Sequence, residues 1–408
     1  MVQLNYHRVT FTWKRKARLH LHSATHVHWS GGYRNRAEKR RLQAILSVLP
    51  TFTNIRCLSL FTADINFAHQ ALICGLSTLR TLVMYCCRLH PSTKPLPLSH
   101  VTDLKLTTSD MQTIRRLLTS LATTIETLEV NYRGDLVGFT LQDGLIGLPK
   151  LSSFKIKTYH LDTNLATLNT FKQYKSITTI CILLNYHHLD HHPSIVSFHH
   201  SDLPALRSVT CGHNLAASLI PQRPVTTYVE GHRLKEGRWK LFNSLSKTRA
   251  KITNLKISAP DHLHSLLPSL ATFLPDLEQL TLKCFGDGVA WLGASSPNHL
   301  ILYTPPGAAA ANLPKLKWVT ILLDYDQFKA PGMSPEWLRK TYFVPVCPAL
   351  EVFECLCIPF YKVGRDFGLS SEPNRAWKTR RLPDGSWERL GPPPIPTPVP
   401  ATELGAVA

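Results

Sequence analysis

No run of eighteen or more apolar residues occurs in this sequence, which excludes a membrane-spanning helix. The opening Met1-Val2-Gln3-Leu4-Asn5-Tyr6-His7 lacks the apolar core of a secretory signal. The ten cysteines include no C-x-x-C pair, and Cys57, Cys181, Cys211 and Cys355 fall inside apolar strand patterns. Reduced, mostly buried thiols and a cytoplasmic or nuclear location are therefore expected. Catalytic signatures are missing as well. There is no Walker-type phosphate loop, no G-x-S-x-G elbow and no H-E-x-x-H. Gly286-Asp287-Gly288 reads as a turn. Nothing in the sequence fixes a partner for Asp103, Glu129 or Asp324 as a catalytic acid. The reading is of a protein without catalytic residues, metal ligands or cofactor.

Acidic residues are also scarce: 27 Asp and Glu stand against 46 Lys and Arg, a net charge of +19. In the first fifty residues ten Lys/Arg face the single acid Glu38, which places +9 of that charge there. The runs are Lys14-Arg15-Lys16-Ala17-Arg18 and Arg34-Asn35-Arg36-Ala37-Glu38-Lys39-Arg40-Arg41. A solvated basic face is the first reading, an acidic partner the second and nucleic acid the third.

What is present in quantity is a periodic apolar pattern, apolar-x-x-apolar-x-apolar. It occurs at Ile55/Leu58/Leu60, Leu79/Leu82/Met84, Val101/Leu104/Leu106, Ile125/Leu128/Val130, Leu151/Phe154/Ile156 and Ile177/Ile180/Ile182. It continues at Leu206/Val209/Cys211, weakly at Val225/Tyr228, then at Ile252/Leu255/Ile257, Leu277/Leu280/Leu282, Leu316/Val319/Ile321 and Leu350/Phe353/Cys355. In a chain that is 44% hydrophobic, one such triple arises by chance at about one position in twelve. The spacing decides the matter. Successive starts lie 24, 22, 24, 26, 26, 29, 19, 27, 25, 39 and 34 residues apart, mostly within or close to the interval of leucine-rich repeats. A degenerate unit at Ala24/Val27/Trp29 would precede them.

The intervening segments carry helical periodicity. Met111, Ile114, Leu117, Leu118 and Leu121 share one face behind a Ser109-Asp110 cap. Leu263, Leu266, Leu267, Leu270 and Phe273 repeat the pattern, and Pro335-Glu336-Trp337-Leu338 opens a further helix. Helices run into strands through Leu148-Pro149-Lys150-Leu151, Leu203-Pro204-Ala205-Leu206, Leu274-Pro275-Asp276-Leu277 and Leu313-Pro314-Lys315-Leu316, with Cys347-Pro348-Ala349-Leu350 as a variant. Proline stops the helix there and favours extended backbone before it.

The expected fold is an α/β leucine-rich-repeat solenoid of about twelve irregular repeats, with a curved parallel sheet on the concave side and helices on the convex side. Its expected parts are a basic N-terminal cap with degenerate strands and a first helix (1–50), the solenoid (51–358), a C-terminal cap (359–390) that shields the last open edge, and a Pro-rich disordered tail (391–408). The asparagine common at position nine of regular repeats is replaced by Ala63, Cys87, Ser109, Arg133 and Tyr159. No asparagine ladder can therefore form.

Alternation directs Tyr85, Lys105, Glu129, Lys155, Lys157, Asn254, Lys256, Lys283 and Trp318 to the concave face, where they are the candidate partner-binding residues. Trp318 stands out as an expected exposed anchor. The cluster His187-His188-Leu189-Asp190-His191-His192, with His199-His200, lacks the fixed spacing of a zinc site and reads first as a polar loop, second as a metal site. His20, His22, His26 and His28 alternate with apolar residues and read as an exposed strand face, or as a pH-sensitive patch. The tail Pro392-Pro393-Pro394-Ile395-Pro396-Thr397-Pro398-Val399-Pro400 contains a P-x-x-P and favours an extended conformation.

Degenerate repeats of about 25 residues, the Leu-Pro-x-Leu lead-ins and the C-terminal Arg375-Ala376-Trp377-Lys378 and Asp384-Gly385-Ser386-Trp387 resemble the leucine-rich-repeat part of fungal F-box proteins, over roughly residues 20–390. The resemblance implies substrate recognition for a cullin–RING ubiquitin ligase, with a Skp-type adaptor as second partner. In that family an F-box precedes the repeats. Here residues 1–30 alternate like strands (Val9, Phe11, Trp13; Leu19, Leu21; Val27, Trp29) and no F-box is visible. Two expectations follow: a shortened product, or binding without ligase recruitment. Nucleic acid or another polyanion remains the alternative partner.

Overall fold

The structure is a computed structural model that describes residues 26–30, 54–90, 98–108, 111–121, 123–132, 148–158, 171–172, 174–184, 198–231, 238–258, 263–284, 312–323, 335–357 and 375–390, with residues 44 and 169. It divides into two compact units, Met1–Leu255 and Lys256–Ala408. The basic runs at 14–18 and 34–41, the His187–His192 cluster, Gly286–Gly288, Asp324 and the Pro-rich tail lie outside the described residues.

In the first unit the apolar triples become strands because each one buries its ridge against the ridge before it. The strands are β1 (His26–Ser30), β2 (Cys57–Phe61), β4 (Thr81–Tyr85), β6 (Asp103–Thr108), β7 (Thr127–Tyr132), β8 (Ser153–Thr158), β9 (Thr179–Leu184), β10 (Ser208–Cys211) and β11 (Thr227–Glu230), all paired in parallel in that order. The pairing keeps the sequence triples in register. Leu58 faces Leu82, then Leu104, Leu128, Phe154, Ile180, Val209 and Tyr228. Every residue of the triples from Ile55 to Tyr228 is buried, as is Val27 on β1. This is a leucine-rich-repeat solenoid.

The Pro-x-Leu lead-ins are tight turns as well as helix stops. The N–H of Leu151 donates to the Leu148 carbonyl (3.2 Å), Leu206 to Leu203 (3.1 Å), Leu277 to Leu274 (3.2 Å), Leu316 to Leu313 (3.2 Å) and Leu350 to Cys347 (3.0 Å). Proline presets φ at the second position of such a turn, so both flanking apolar side chains enter the core. Just after each turn one carbonyl accepts two N–H groups of the next repeat. Arg56 accepts from Arg80 (2.8 Å) and Thr81 (2.9 Å), and the same pairing recurs at Arg80, Thr102, Glu126, Ser152, Thr178, Arg207 and Thr226. Hydroxyls reinforce it: Ser152 Oγ donates to the Glu126 carbonyl at 3.2 Å and Thr178 Oγ1 to Ser152 at 3.2 Å.

The asparagine ladder is absent at Ala63 and Cys87. In its place two short strands, β3 (Asp64–Ile65) and β5 (Arg88–Leu89), pair with each other. Thr62 (φ 50°) and Cys86 (φ 51°) turn the chain sharply before them. The buried Gln70 amide donates to the Ile65 and His90 carbonyls, both at 3.1 Å. Gln70 sits on α1 (Phe67–Cys74), and α2 (Met111–Leu121) follows β6. Of the face expected for α2, Ile114, Leu117, Leu118 and Leu121 are buried. Two further helices, α3 (His213–Leu219) and α4 (Arg238–Ser246), flank β11.

The weak triple at Val225/Tyr228 has a physical reason: its third core position is Glu230, fully buried. Tyr228 compensates by donating its hydroxyl to the Cys211 carbonyl at 3.0 Å. Gly231 then passes so close to the Cys211 backbone that a Cβ there would sit 3.1 Å from its carbonyl carbon.

The strand β12 (Asn254–Ser258) carries the division between units. In the second unit α5 (Leu263–Phe273) leads to parallel strands β13 (Gln279–Cys284), β14 (Trp318–Leu323) and β15 (Val352–Cys357). The helix α6 (Pro335–Leu338) continues into a π-helical turn over Arg339–Phe343. Residues 375–390 form an antiparallel hairpin, β16 (Arg375–Arg381) and β17 (Trp387–Leu390), and β16 pairs antiparallel with β15. Its turn uses Gly385 at φ 83°, with Asp384 Oδ1 accepting from the Ser386 N–H at 2.8 Å.

Phe154 has no exposed surface and packs on Phe171 with ring centroids 4.5 Å apart. Phe154→Ala is expected to cost about 3–5 kcal/mol. Repeats contact only their neighbours, so hydrogen exchange should rise across β7–β9 and stay unchanged in β13–β15.

Candidate functional site

Parallel sheets normally carry helices on both faces. In the first unit the triples fill one face, and the intervening residues form three half-exposed rows on the other, open face. One row is nearly all hydroxyl and short polar: Thr81, Asp103, Thr127, Ser153, Thr179, Ser208 and Thr227. Within it Asp103 Oδ2 accepts from Thr102 Oγ1 at 3.0 Å. The second runs Ser59, Val83, Lys105, Glu129, Lys155, and the third Phe61, Tyr85, Thr107, Asn131, Lys157.

Five of the residues singled out by sequence therefore share this face. Tyr85 stacks on Phe61 with centroids 5.3 Å apart and planes at 21°. Glu129 pairs with Lys155 at 2.7 Å, while Lys105, its neighbour on the other side, is exposed. At roughly one-third exposure that ion pair contributes little stability, about 0–1 kcal/mol, and fixes orientation instead. Lys157 is followed in the third row by Leu183, which is buried, so the open part of that row runs from β2 to β8; the half-buried Asn254 lies on β12. Phe61, the aromatic partner of Tyr85, was missed by sequence reasoning. Its place one strand earlier at the same step of the repeat was the available signal.

In the second unit the placement differs. Lys256 is half-buried, and burial lowers its ammonium pKa. Lys283 is a correction: expected on an open face, it is only 5% exposed. Its strand neighbour Leu322 is also buried, so β13 and β14 are enclosed on both faces at this end. Trp318 is half-buried rather than a bare anchor. Its indole N–H lies 3.0 Å from Thr320 Oγ1 and 3.3 Å from Glu354 Oε2, and the Thr320 hydroxyl donates to Glu354 Oε2 at 3.2 Å. Lys378 of β16 closes the group, 2.5 Å from Glu354 Oε1 and 4.6 Å above the Trp318 ring.

Two buried arginines escaped the sequence reading. Arg223 donates to the carbonyls of His199 (2.6 Å), Asp202 (2.8 Å), Leu219 (2.8 Å) and Pro221 (3.1 Å). Burial lowers its pKa and Asp202 opposes the shift. It ties the end of α3 to the preceding lead-in turn, a structural task. Arg339 is clasped by the hairpin, with its guanidinium 4.3 Å from the Trp387 ring and 5.9 Å from that of Trp377. These are the tryptophans of the C-terminal sequence motif.

Among the described residues no group of three or more His, Cys, Asp or Glu is placed to hold a metal ion. His199 and His200 are exposed, and His199 Nδ1 lies 2.8 Å from Ser201 Oγ. The described helices include none long and apolar enough to cross a membrane. Burial raises the thiols of Cys74 and Cys87 to about 11 and that of Cys347 to about 12.

No family model and no curated protein matches the chain. Among solved structures it is similar to the leucine-rich repeat-containing protein LegL7 from Legionella pneumophila, at 16% identity and TM-score 0.38, covering 66% of this chain and 89% of that one. It is also similar to an internalin (inlF) from Listeria monocytogenes, at 13% identity and TM-score 0.31, covering 74% and 82%. A third is TLR13, in its complex with ssRNA13, at 12% identity and TM-score 0.27, covering 75% and 58%.

Three outcomes follow. Arg223→Met leaves the buried Leu219 carbonyl and the part-buried carbonyls of His199, Asp202 and Pro221 without this donor and should lower stability by about 2–3 kcal/mol in urea denaturation. Glu354→Ala should speed hydrogen exchange in β16 and β17 by about 5–30-fold, the effect of one to two kcal/mol, with β2–β8 unaffected. Cys87 and Cys347 should resist iodoacetamide at pH 8 in the folded protein and react on unfolding, because the thiolate is the reactive form.

Proposed function

We propose that the chain is a protein-recognition scaffold, without catalytic activity of its own, that docks a partner on the open face of the first unit. What supports this reading is a parallel sheet whose face opposite the triples is half-exposed from β2 to β8, with no described helix packed on it. That face presents a stacked aromatic pair, Phe61 and Tyr85, beside the alternating charges Lys105, Glu129 and Lys155. Strand pairing holds these side chains at fixed spacing, so little ordering entropy is lost on binding. Aromatic anchors with charged neighbours are the usual source of affinity and register at protein interfaces. In the second unit Trp318 serves this role only once Lys378 is displaced.

The finer reading comes from the resemblance to the repeat region of fungal F-box proteins. In it the partner is a substrate of a cullin–RING ubiquitin ligase, the second partner is a Skp-type adaptor, and the chain works in the cytoplasm or nucleus.

A photo-crosslinking residue at Val83 should capture a partner protein, while the same residue at Gln112 on α2 should not. Tyr85→Ala with Lys105→Ala should weaken that partner about 30-fold, the equivalent of two kcal/mol. Equal capture from both positions sinks the open-face reading. Purification of the complex tests the ligase: if neither adaptor nor cullin accompanies the chain, that part fails and the scaffold stands.

A further inference from the structure

Along one edge of the sheet, away from the open face, the described first unit carries a row of exposed cations with few acids beside it. The carbonyl ladder fixes that edge, since the lead-in turns of successive repeats are bonded to one another from Arg56 to Thr253. Arg56, Arg80, Lys150, Lys175, Arg207 and Lys251 all lie in these turns, and all are exposed. Lys247 and Arg249, in the turn before β12, add two more exposed cations and are bonded through their backbones to Gln222 and Arg223. Against these eight stand the exposed Glu126 and the half-buried Asp202. None of the eight forms an ion pair among the described residues. The side-chain bonds that Arg80 makes go to carbonyls of Ser77, Leu79 and His100, which leave its charge uncompensated.

A basic chain need not arrange itself this way. The open face of the same unit is nearly balanced, with Lys105, Lys155 and Lys157 against Asp103 and Glu129. The corresponding turns of the second unit are balanced too. There Lys315, Lys317 and Arg381 meet Asp276, Glu278 and Glu351, and Lys315 pairs with Asp276 at 2.5 Å.

We infer that the lead-in edge of the first unit is a docking surface for the phosphate backbone of a nucleic-acid duplex. Neighbouring strands are about 4.8 Å apart, so the cations from β2 to β12 extend over roughly 40 Å, a length that suits a long, regular polyanion. Counterion release supplies the affinity of such a contact, without reading sequence. A single strand would need aromatic platforms for its bases. The aromatics of these described turns are the buried Tyr174 and the half-buried Phe198, and the Phe198 ring is engaged by Lys172 and Arg223.

The test uses the full chain and a random-sequence DNA duplex of about 25 base pairs, with binding read by fluorescence anisotropy across a salt series. The fourfold variant Lys150→Glu, Lys175→Glu, Arg207→Glu, Lys251→Glu touches only exposed side chains. It should weaken binding at least about 30-fold and reduce the slope of log affinity against log salt by about four, one per lost phosphate contact. The alanine version should do the same to a lesser degree, with an unchanged melting curve. A charge-matched control, Lys14→Glu, Lys16→Glu, Arg34→Glu, Arg36→Glu, should change affinity less than about threefold. An equal loss in that control, or no loss in the edge variant, overturns the inference. So does edge-dependent binding of polyglutamate or of single-stranded DNA more tightly than of the duplex. Open-face crosslinking at Val83 is read separately, so either result stands without the other.

Discussion

A repeat of about 25 residues cannot remove its own apolar ridge from water; only the repeat before it and the repeat after it can do so. Everything else in the structure answers that constraint. The ridge must stay in register, so Leu58, Leu82, Leu104, Leu128 and Phe154 fall into line across successive strands. The lead-in turn must bring each strand to the same height, which the Pro-x-Leu geometry and the doubly accepting carbonyl accomplish. Where the ridge is interrupted by Glu230, a tyrosine hydroxyl and a glycine hold the neighbouring backbone together.

The sequence carried the repeats clearly because burial at three fixed positions leaves a mark on composition. It carried the helices for the same reason: Leu117 and Leu121 repeat at helical spacing. What it did not carry are features made by residues far apart in the chain. Arg223 looks like any surface arginine until the carbonyls of His199 and Leu219 are seen to converge on it. Lys283 follows the alternation rule in its own strand, yet that rule describes one strand and not what covers the sheet at its far end. Trp318 was legible as unusual. Its partners Glu354 and Lys378 lie 36 and 60 residues away, and no local pattern links them.

Two surfaces with different physics sit on one frame. The open face presents shape and alternating charge, properties suited to a partner with matching contours. The lead-in edge presents one sign of charge on long side chains, suited to a partner recognised by field and not by contour. Strand pairing fixes the spacing of both.

The antiparallel β16 changes what the stack offers to a newcomer. Parallel repeats can be added or deleted one at a time, as each presents the same hydrogen-bonding pattern to the next. After β15 that pattern is reversed, and the ridge position that follows Phe353 is filled by Thr379. A duplicated repeat inserted upstream would find its place in the series. One attached beyond the hairpin would meet the wrong polarity and no apolar ridge. The hairpin thus gives the two ends of the parallel series different strand polarity.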